Sequence, residues 1–154
     1  MIKPINDFAG RLNTEISLDE NMVVKKQDRH FLLNTTLKRL ITKDFYYAGT
    51  YLGKTKNGRF FPSFSLLTLM ARTNANKTVV DKKTEWLFIC GRDIFREGIV
   101  RMIGAKKRGD YTLILNEYDE CLGFGRLTHN LDEDKAGVLV RNISDVGDFL
   151  RRER

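Results

Sequence analysis

The chain has 154 residues, 42% of them hydrophobic, and 27 Lys and Arg against 20 Asp and Glu give a formal net charge of +7. Two prolines and no low-complexity run exclude a largely disordered chain, and the length allows one modest domain or two very small ones. No apolar stretch approaches the roughly 18 residues of a membrane span. MIKPINDFAG lacks the basic flank and apolar run of a secretory leader, so a cytoplasmic protein is expected, nucleolar if the source is eukaryotic.

From the N-terminus, Ile5, Phe8, Leu12 and Ile16 recur at three and four positions, which predicts a short amphipathic helix interrupted by Gly10. Met22-Val23-Val24 begins a strand, Gln27-Asp28-Arg29 reads as a turn, and His30–Leu33 as the next strand. Asn34 or Thr35 caps a helix to Ile41, with Leu37, Leu40 and Ile41 on one face. Phe45 to Lys54 reads as a longer strand rich in aromatic and β-branched residues. Asn57-Gly58 suits a tight hairpin turn into Arg59-Phe60-Phe61, ended by Pro62. Ser65 is expected to cap a helix through Ala71, and Lys77–Val80 to form a short strand.

The polar run Asp81-Lys82-Lys83-Thr84 suggests a domain boundary, because the charge changes there. Residues 1–83 carry 15 basic and 7 acidic side chains, a formal +8, and residues 84–154 carry 12 and 13, a formal −1. Trp86–Cys90 reads as a continuous apolar strand ended by Gly91. A helix is expected from Asp93, with Ile94, Phe95, Ile99, Met102 and Ile103 on its buried side. Tyr111–Leu115 and Cys121–Leu127 read as strands joined by an acidic turn, and Gly137–Arg141 as another strand. Asp145 to Arg152 reads as a final helix with Val146, Phe149 and Leu150 turned inward.

Catalytic signatures are missing. His30 and His129 have no cysteine or second histidine at ligand spacing, and Cys90 and Cys121, expected as buried reduced thiols, form no CxxC pair. No P-loop or dinucleotide fingerprint is present. The acid runs Asp119-Glu120 and Asp132-Glu133-Asp134 read as solvated loops. No enzymatic activity, metal or cofactor is therefore expected.

GRDIFREGIVRM, YTLILNEYDECLGFGRL and GVLVRNISDVGDFLRRE together resemble a PUA domain, a small pseudo-barrel that binds structured RNA. The pairing of DVGDFLRRE with LGFG resembles the ribosome-biogenesis proteins that carry a PUA domain after a small α/β domain, of which archaea have shorter versions. Tyr51-Leu52-Gly53-Lys54, Arg59-Phe60 and the following helix resemble the end of that first domain. The likeness covers residues 45–154 well and 20–44 weakly. It implies an α+β protein: a small α/β domain over residues 1–83, then a PUA-like pseudo-barrel over 84–154. It also implies structured or single-stranded ribosomal RNA as partner, in rRNA precursor processing. PUA domains occur in pseudouridine synthases and cytosine methyltransferases as well. A ribosome-assembly or RNA-modification protein is therefore an alternative partner, the chain acting as an adaptor or as a detached RNA-targeting subunit.

The expected RNA face gathers Arg92, Arg96 and Arg101 on the helix after Gly91, the loop Lys106-Lys107-Arg108, and Arg126. Guanidinium forks hold phosphate bidentately. The resemblance places the Gly123-Phe124-Gly125 strand beside this face, its glycines either bending the strand or admitting an RNA backbone. Arg151 and Arg152 in the last turn are further candidates. Secondary contacts are expected from Lys25, Lys26, Lys38 and Lys43, and around the hairpin from Lys54, Lys56 and Arg59.

Overall fold

The computed structural model describes residues 2–152, apart from the side chains of Phe149 and Arg152. The expected inward turn of Phe149 and the RNA contact of Arg152 thus lie outside the described residues. The fold is α+β, with two sheets that share a core.

The first helix, α1 (Lys3–Arg11), has Pro4 in its first turn and runs through Gly10, burying Ile5, Phe8 and Ala9. Strands β1 (Val23–Lys26), β2 (Arg29–Leu32), β3 (Thr50–Lys56) and β4 (Arg59–Pro62) form an antiparallel sheet in sequential order. Asn57 and Gly58 take positive φ in the β3–β4 turn, as the Asn-Gly pair requires. Between β2 and β3 lies α2 (Thr35–Leu40), capped by the Asn34 side chain on the Leu37 amide. Leu37 and Ile41 pack on a small cluster around Phe31, but Leu40 is 72% exposed and leaves the expected face. Strand β3 starts at Thr50 rather than Phe45, since Phe45 packs edge-on to Phe31 from a loop.

Helix α3 (Phe64–Ala71) is capped by Ser63, not Ser65: the Ser63 hydroxyl accepts from the Leu66 amide at 3.1 Å and donates to the Tyr51 carbonyl at 2.6 Å. Strand β5 (Lys77–Val80) precedes the charge change at residues 81–84 yet pairs inside the second sheet.

The next stretch differs most from expectation. Trp86–Cys90 is not a buried strand. Residues Lys82–Ile89 form a helix, α4, whose Asp81 cap accepts from the Thr84 amide at 2.8 Å. That N–H holds the Asp81 carboxyl below its ordinary pKa. Only Thr84 and Phe88, one helical turn apart, are buried on α4, while Trp86 is 68% exposed. The helix expected after Asp93 is also absent. In its place stand β6 (Ile94–Phe95), a 3-10 turn over Arg96–Gly98, and β7 (Ile99–Ile103). A Cβ on Gly98 would fall 1.9 Å from the Thr84 hydroxyl, so this turn is pressed onto α4. Asp93 caps nothing and accepts instead from the Asn142 amide at 2.8 Å.

Strands β8 (Tyr111–Leu115), β9 (Cys121–Leu127) and β10 (Val138–Asp145) complete a six-stranded sheet in the order β6-β10-β9-β8-β5-β7. Its two edge strands are consecutive in the chain. Three linking residues reach only about 14 Å, whereas six flat strands would separate the edges by about 24 Å. The sheet must curl into a half-barrel. Inside the curl sit Phe88, Ile94, Ile114, Leu122, Leu127 and Val140. The outer face of β8 and β9 packs Leu113 and Phe124 against α1, α3 and Leu52 of the first sheet. Burying each such side chain contributes about 1.5–3 kcal/mol, and this cluster joins the two halves.

The last helix, α5 (Val146–Arg152), begins at Asp145, whose carboxylate accepts from the Asp148 amide at 2.8 Å. Leu150 is 66% exposed rather than turned inward. Cys90 is exposed, so only Cys121 meets the expectation of a buried thiol. Burial pushes the Cys121 thiol up to about 11, which keeps it protonated at neutral pH.

Candidate nucleic-acid interface

Register across β8, β9 and β10 pairs Tyr111 with Arg126 and Arg126 with Arg141. Directly paired residues in adjacent strands project from the same face. One step along, Leu113 pairs with Phe124 in the main core. A single sheet face therefore passes from buried apolar side chains to two exposed arginines. Like charges placed opposite one another cost stability. Among the described residues, neither guanidinium has an ion-pair or hydrogen-bond partner to offset it.

Arg108 joins this pair. A recess of about 350 Å³ is lined by Arg108, Gly109, Arg126, Leu127, Thr128 and Arg141. The basic loop is held by its own turn: the Asp110 carboxylate accepts from the Lys106 and Lys107 amides at 3.0 and 2.9 Å, and Asn130 accepts from the Arg108 amide at 2.8 Å. The three backbone N–H groups are thereby satisfied while all three basic side chains stay exposed.

On the other side of Arg126 and Arg141 a groove of about 720 Å³ opens between their strands, α1 and the β3–β4 hairpin. Arg11 and Arg59 line it, and the Arg11 guanidinium carbon lies 3.8 Å from the Tyr111 ring centre. Arg11 and Arg141 carry no sequence signal as site residues. Val138-Leu139-Val140 is a continuous apolar run with no alternation that would mark Arg141 as outward, and its pairing with Arg126 depends on a register between separate strands.

The other expected contacts fall elsewhere. Arg92 is exposed in the turn after α4 and does not line the recess. Arg96 is half-buried, and its guanidinium donates to the carbonyls of Leu131 and Glu133 at 3.4 and 3.1 Å, bracing that loop. Arg101 stands on edge strand β7, paired with Asp119 at 3.2 Å. Arg151 donates to the Ile89 carbonyl at 3.2 Å and to Asp145 at 3.4 Å, tying α5 to the end of α4. Gly123 and Gly125 are buried against β10. Added Cβ atoms would lie 2.0 Å from the Ser144 carbonyl oxygen and 2.5 Å from a Val140 methyl. The approach of the neighbouring strand by itself requires glycine at both positions.

In the first half, Lys25 and Lys43 are exposed, Lys26 pairs with Asp44 at 2.5 Å, and the Lys38 ammonium donates to the Asn21 carbonyl. Lys54 is half-buried, while Lys56 and Arg59 stand exposed beside the hairpin turn, and of these only Arg59 lines the groove. Among the described residues no group of three His, Cys, Asp or Glu side chains is arranged to hold a metal, and no helix is long and apolar enough to cross a membrane.

The model of the UPF0113 PUA domain family matches residues 76–154, which contain β5 to α5 and with them Arg108, Arg126 and Arg141. The chain belongs to this family. A UPF0113 protein of Archaeoglobus fulgidus is 34% identical over 117 residues, covering 71% of this chain and 64% of that one, so the chain spans somewhat less than two thirds of this relative. The 60S ribosome subunit biogenesis protein NIP7 homolog of Danio rerio is 25% identical over 135 residues, covering 82% of this chain and 75% of the relative. A conserved PUA domain protein from Thermoplasma acidophilum shares the fold along 98% of this chain and 92% of its own, with a TM-score of 0.63 at 22% identity. The family match begins at residue 76, so Arg11 and Arg59 lie outside it.

Proposed function

We propose that this chain binds RNA without catalysing a reaction on it, and that it acts in ribosome biogenesis on ribosomal RNA precursors. The observation that carries the reading is the unpartnered apposition of Arg126 and Arg141 beside Arg108. A folded protein keeps such a like-charge cluster where an anion answers it, and planar guanidinium groups in a row suit successive phosphates. Membership of a PUA-domain family and the biogenesis role in the name of the Danio relative support the same reading.

Equilibrium binding of a short uridine-rich RNA, titrated with salt, tests it. Affinity should fall steeply with salt. Arg126→Ala with Arg141→Ala should weaken binding at least about tenfold and lower the salt slope by about 0.7 for each phosphate no longer neutralised. A wild-type affinity that does not change with salt overturns the reading.

One observation favours a protein-interaction adaptor instead: Trp86 and Phe95 are exposed apolar side chains in the second half. A set of co-purifying proteins that survives nuclease treatment, with no RNA crosslinked to the chain, would decide for the adaptor.

A further inference from the structure

The groove between the halves differs in chemistry from a flat basic patch. Its floor is aromatic: Phe8 contacts Phe60, Tyr111 and Phe124 with ring centres 5.9, 6.2 and 5.1 Å apart. Its rim is cationic, with Arg11 and Arg59 from the first half facing Arg126 and Arg141 from the second. The groove also contains Asp7, but that carboxylate is paired with Lys3 at 2.5 Å. The four arginines are thus left as its uncompensated charge.

The stacking geometry indicates what fits. Tyr111 is only 5% exposed, and the exposed Arg11 guanidinium covers it at 3.8 Å. The stacking surface offered to an incoming ring is therefore the cation itself, held by the tyrosine beneath. Unstacked nucleobases stack on guanidinium planes as they do on aromatic rings.

We propose that this groove takes a single-stranded RNA segment across both halves, with one unstacked base on the Arg11 guanidinium and the flanking phosphates on Arg59, Arg126 and Arg141. The inference rests on the RNA-binding reading and narrows it to a single strand. A cleft of about 720 Å³ is of the size that holds individual nucleotides, and only the unstacked bases of a single strand can lie on a guanidinium plane. It also gives the +8 charge of residues 1–83 a use, since Arg11 and Arg59 bring it to the arginines of the curled sheet.

The test compares a short uridine-rich single strand with an RNA hairpin of equal length, bound to wild-type chain, to Arg11→Gln, to Arg11→Lys and to Arg59→Ala. Arg11 is exposed, and thermal melts monitored by circular dichroism verify that each variant is folded. Arg11→Gln should weaken the single strand about tenfold or more, with hairpin binding changed less than about twofold. Arg11→Lys should restore the salt slope but not the affinity, because an ammonium keeps the charge and lacks the plane. A photoreactive uridine in the bound strand should crosslink to peptides containing Arg11 or Phe60. If Arg11→Gln and Arg59→Ala leave single-strand affinity unchanged while Arg126→Ala with Arg141→Ala reduces it, RNA lies on the second half alone and the groove proposal fails. If wild-type chain binds neither probe, the RNA-binding reading fails with it.

Discussion

Two arginine-bearing regions of the second half have opposite surroundings. At the corner where α4 meets α5, the Arg151 and Asn142 side chains find their acceptors within the protein. Arg151 reaches the Ile89 carbonyl and Asp145, and the Asn142 side-chain amide donates to the Phe88 carbonyl at 3.0 Å and to Asp145 at 3.1 Å. Arg96, across the same half, is likewise held by two carbonyls. At the open end of β9 and β10, Arg126 and Arg141 stand in register with no carbonyl or carboxylate supplied among the described residues. An arginine whose acceptors are internal is a fold brace. An exposed one with no acceptor from the protein is left to solvent and, under the proposed function, to an RNA phosphate. Counting cations does not separate the two classes; locating the acceptors does.

The largest expected effect strikes the open end through its scaffold. Gly123 has φ +148°, and a Cβ there would meet the Ser144 carbonyl oxygen at 2.0 Å. Gly123→Ala should therefore cost about 3 kcal/mol or more, from backbone strain and overpacking together. It should also part β9 from β10, and with them Arg126 from Arg141. Urea unfolding measures the loss. A variant as stable as wild type would mean that close strand approach is not what holds the pair in register.

A smaller effect separates the two regions directly. Arg151→Ala removes a charge-assisted bond to the Ile89 carbonyl and one partner of the buried Asp145, a loss of about 1–2 kcal/mol. Because Arg151 is an internal brace, RNA affinity of the folded variant should change less than about twofold. A large loss of affinity at unchanged stability would place α5 in the interface and erase the difference between brace and binding arginines.

Local pattern makes some of this legible. The three-and-four spacing in α1, the Asn-Gly hairpin and the strands β8 and β9 all follow from periodicity and turn chemistry. Residues 85–103 do not, because Trp86-Leu87-Phe88-Ile89 is apolar all round and carries neither period. What decides it is the Asp81 cap and the contact of Gly98 with Thr84, a constraint between turns. The site divides in the same way. Arg108 and Arg126 are visible as basic residues flanking recognisable strands. Arg141, Arg11 and the placement of Arg59 depend on strand register and on the docking of the first half, which no local window contains. Arg96 and Arg151 look equally good in sequence, since the carbonyls that hold them lie 35 and 62 residues away.

The smallest effect concerns the first half alone. His30 is buried beneath the hairpin, with its ring edge-on to Phe60 at 5.9 Å and its Nδ1 without a partner among the described residues. Burial, reinforced by Lys25 and opposed by a hydrogen bond with the Gly53 backbone, holds its pKa below the ordinary value of 6.5. The unfolded chain therefore takes up a proton at a pH where the folded chain does not. Stability contributed by neutral His30 is complete above the unfolded pKa, declines as pH falls through about 6.5, and levels off below the folded pKa. Urea unfolding of wild type should show this decline on acidification, and His30→Leu should flatten it. The ring also supports Phe60 in the groove floor, so mild acid should weaken single-strand binding in parallel with stability. If wild type and His30→Leu lose stability equally between neutral and mildly acidic pH, neutral His30 is not the source of the acid sensitivity.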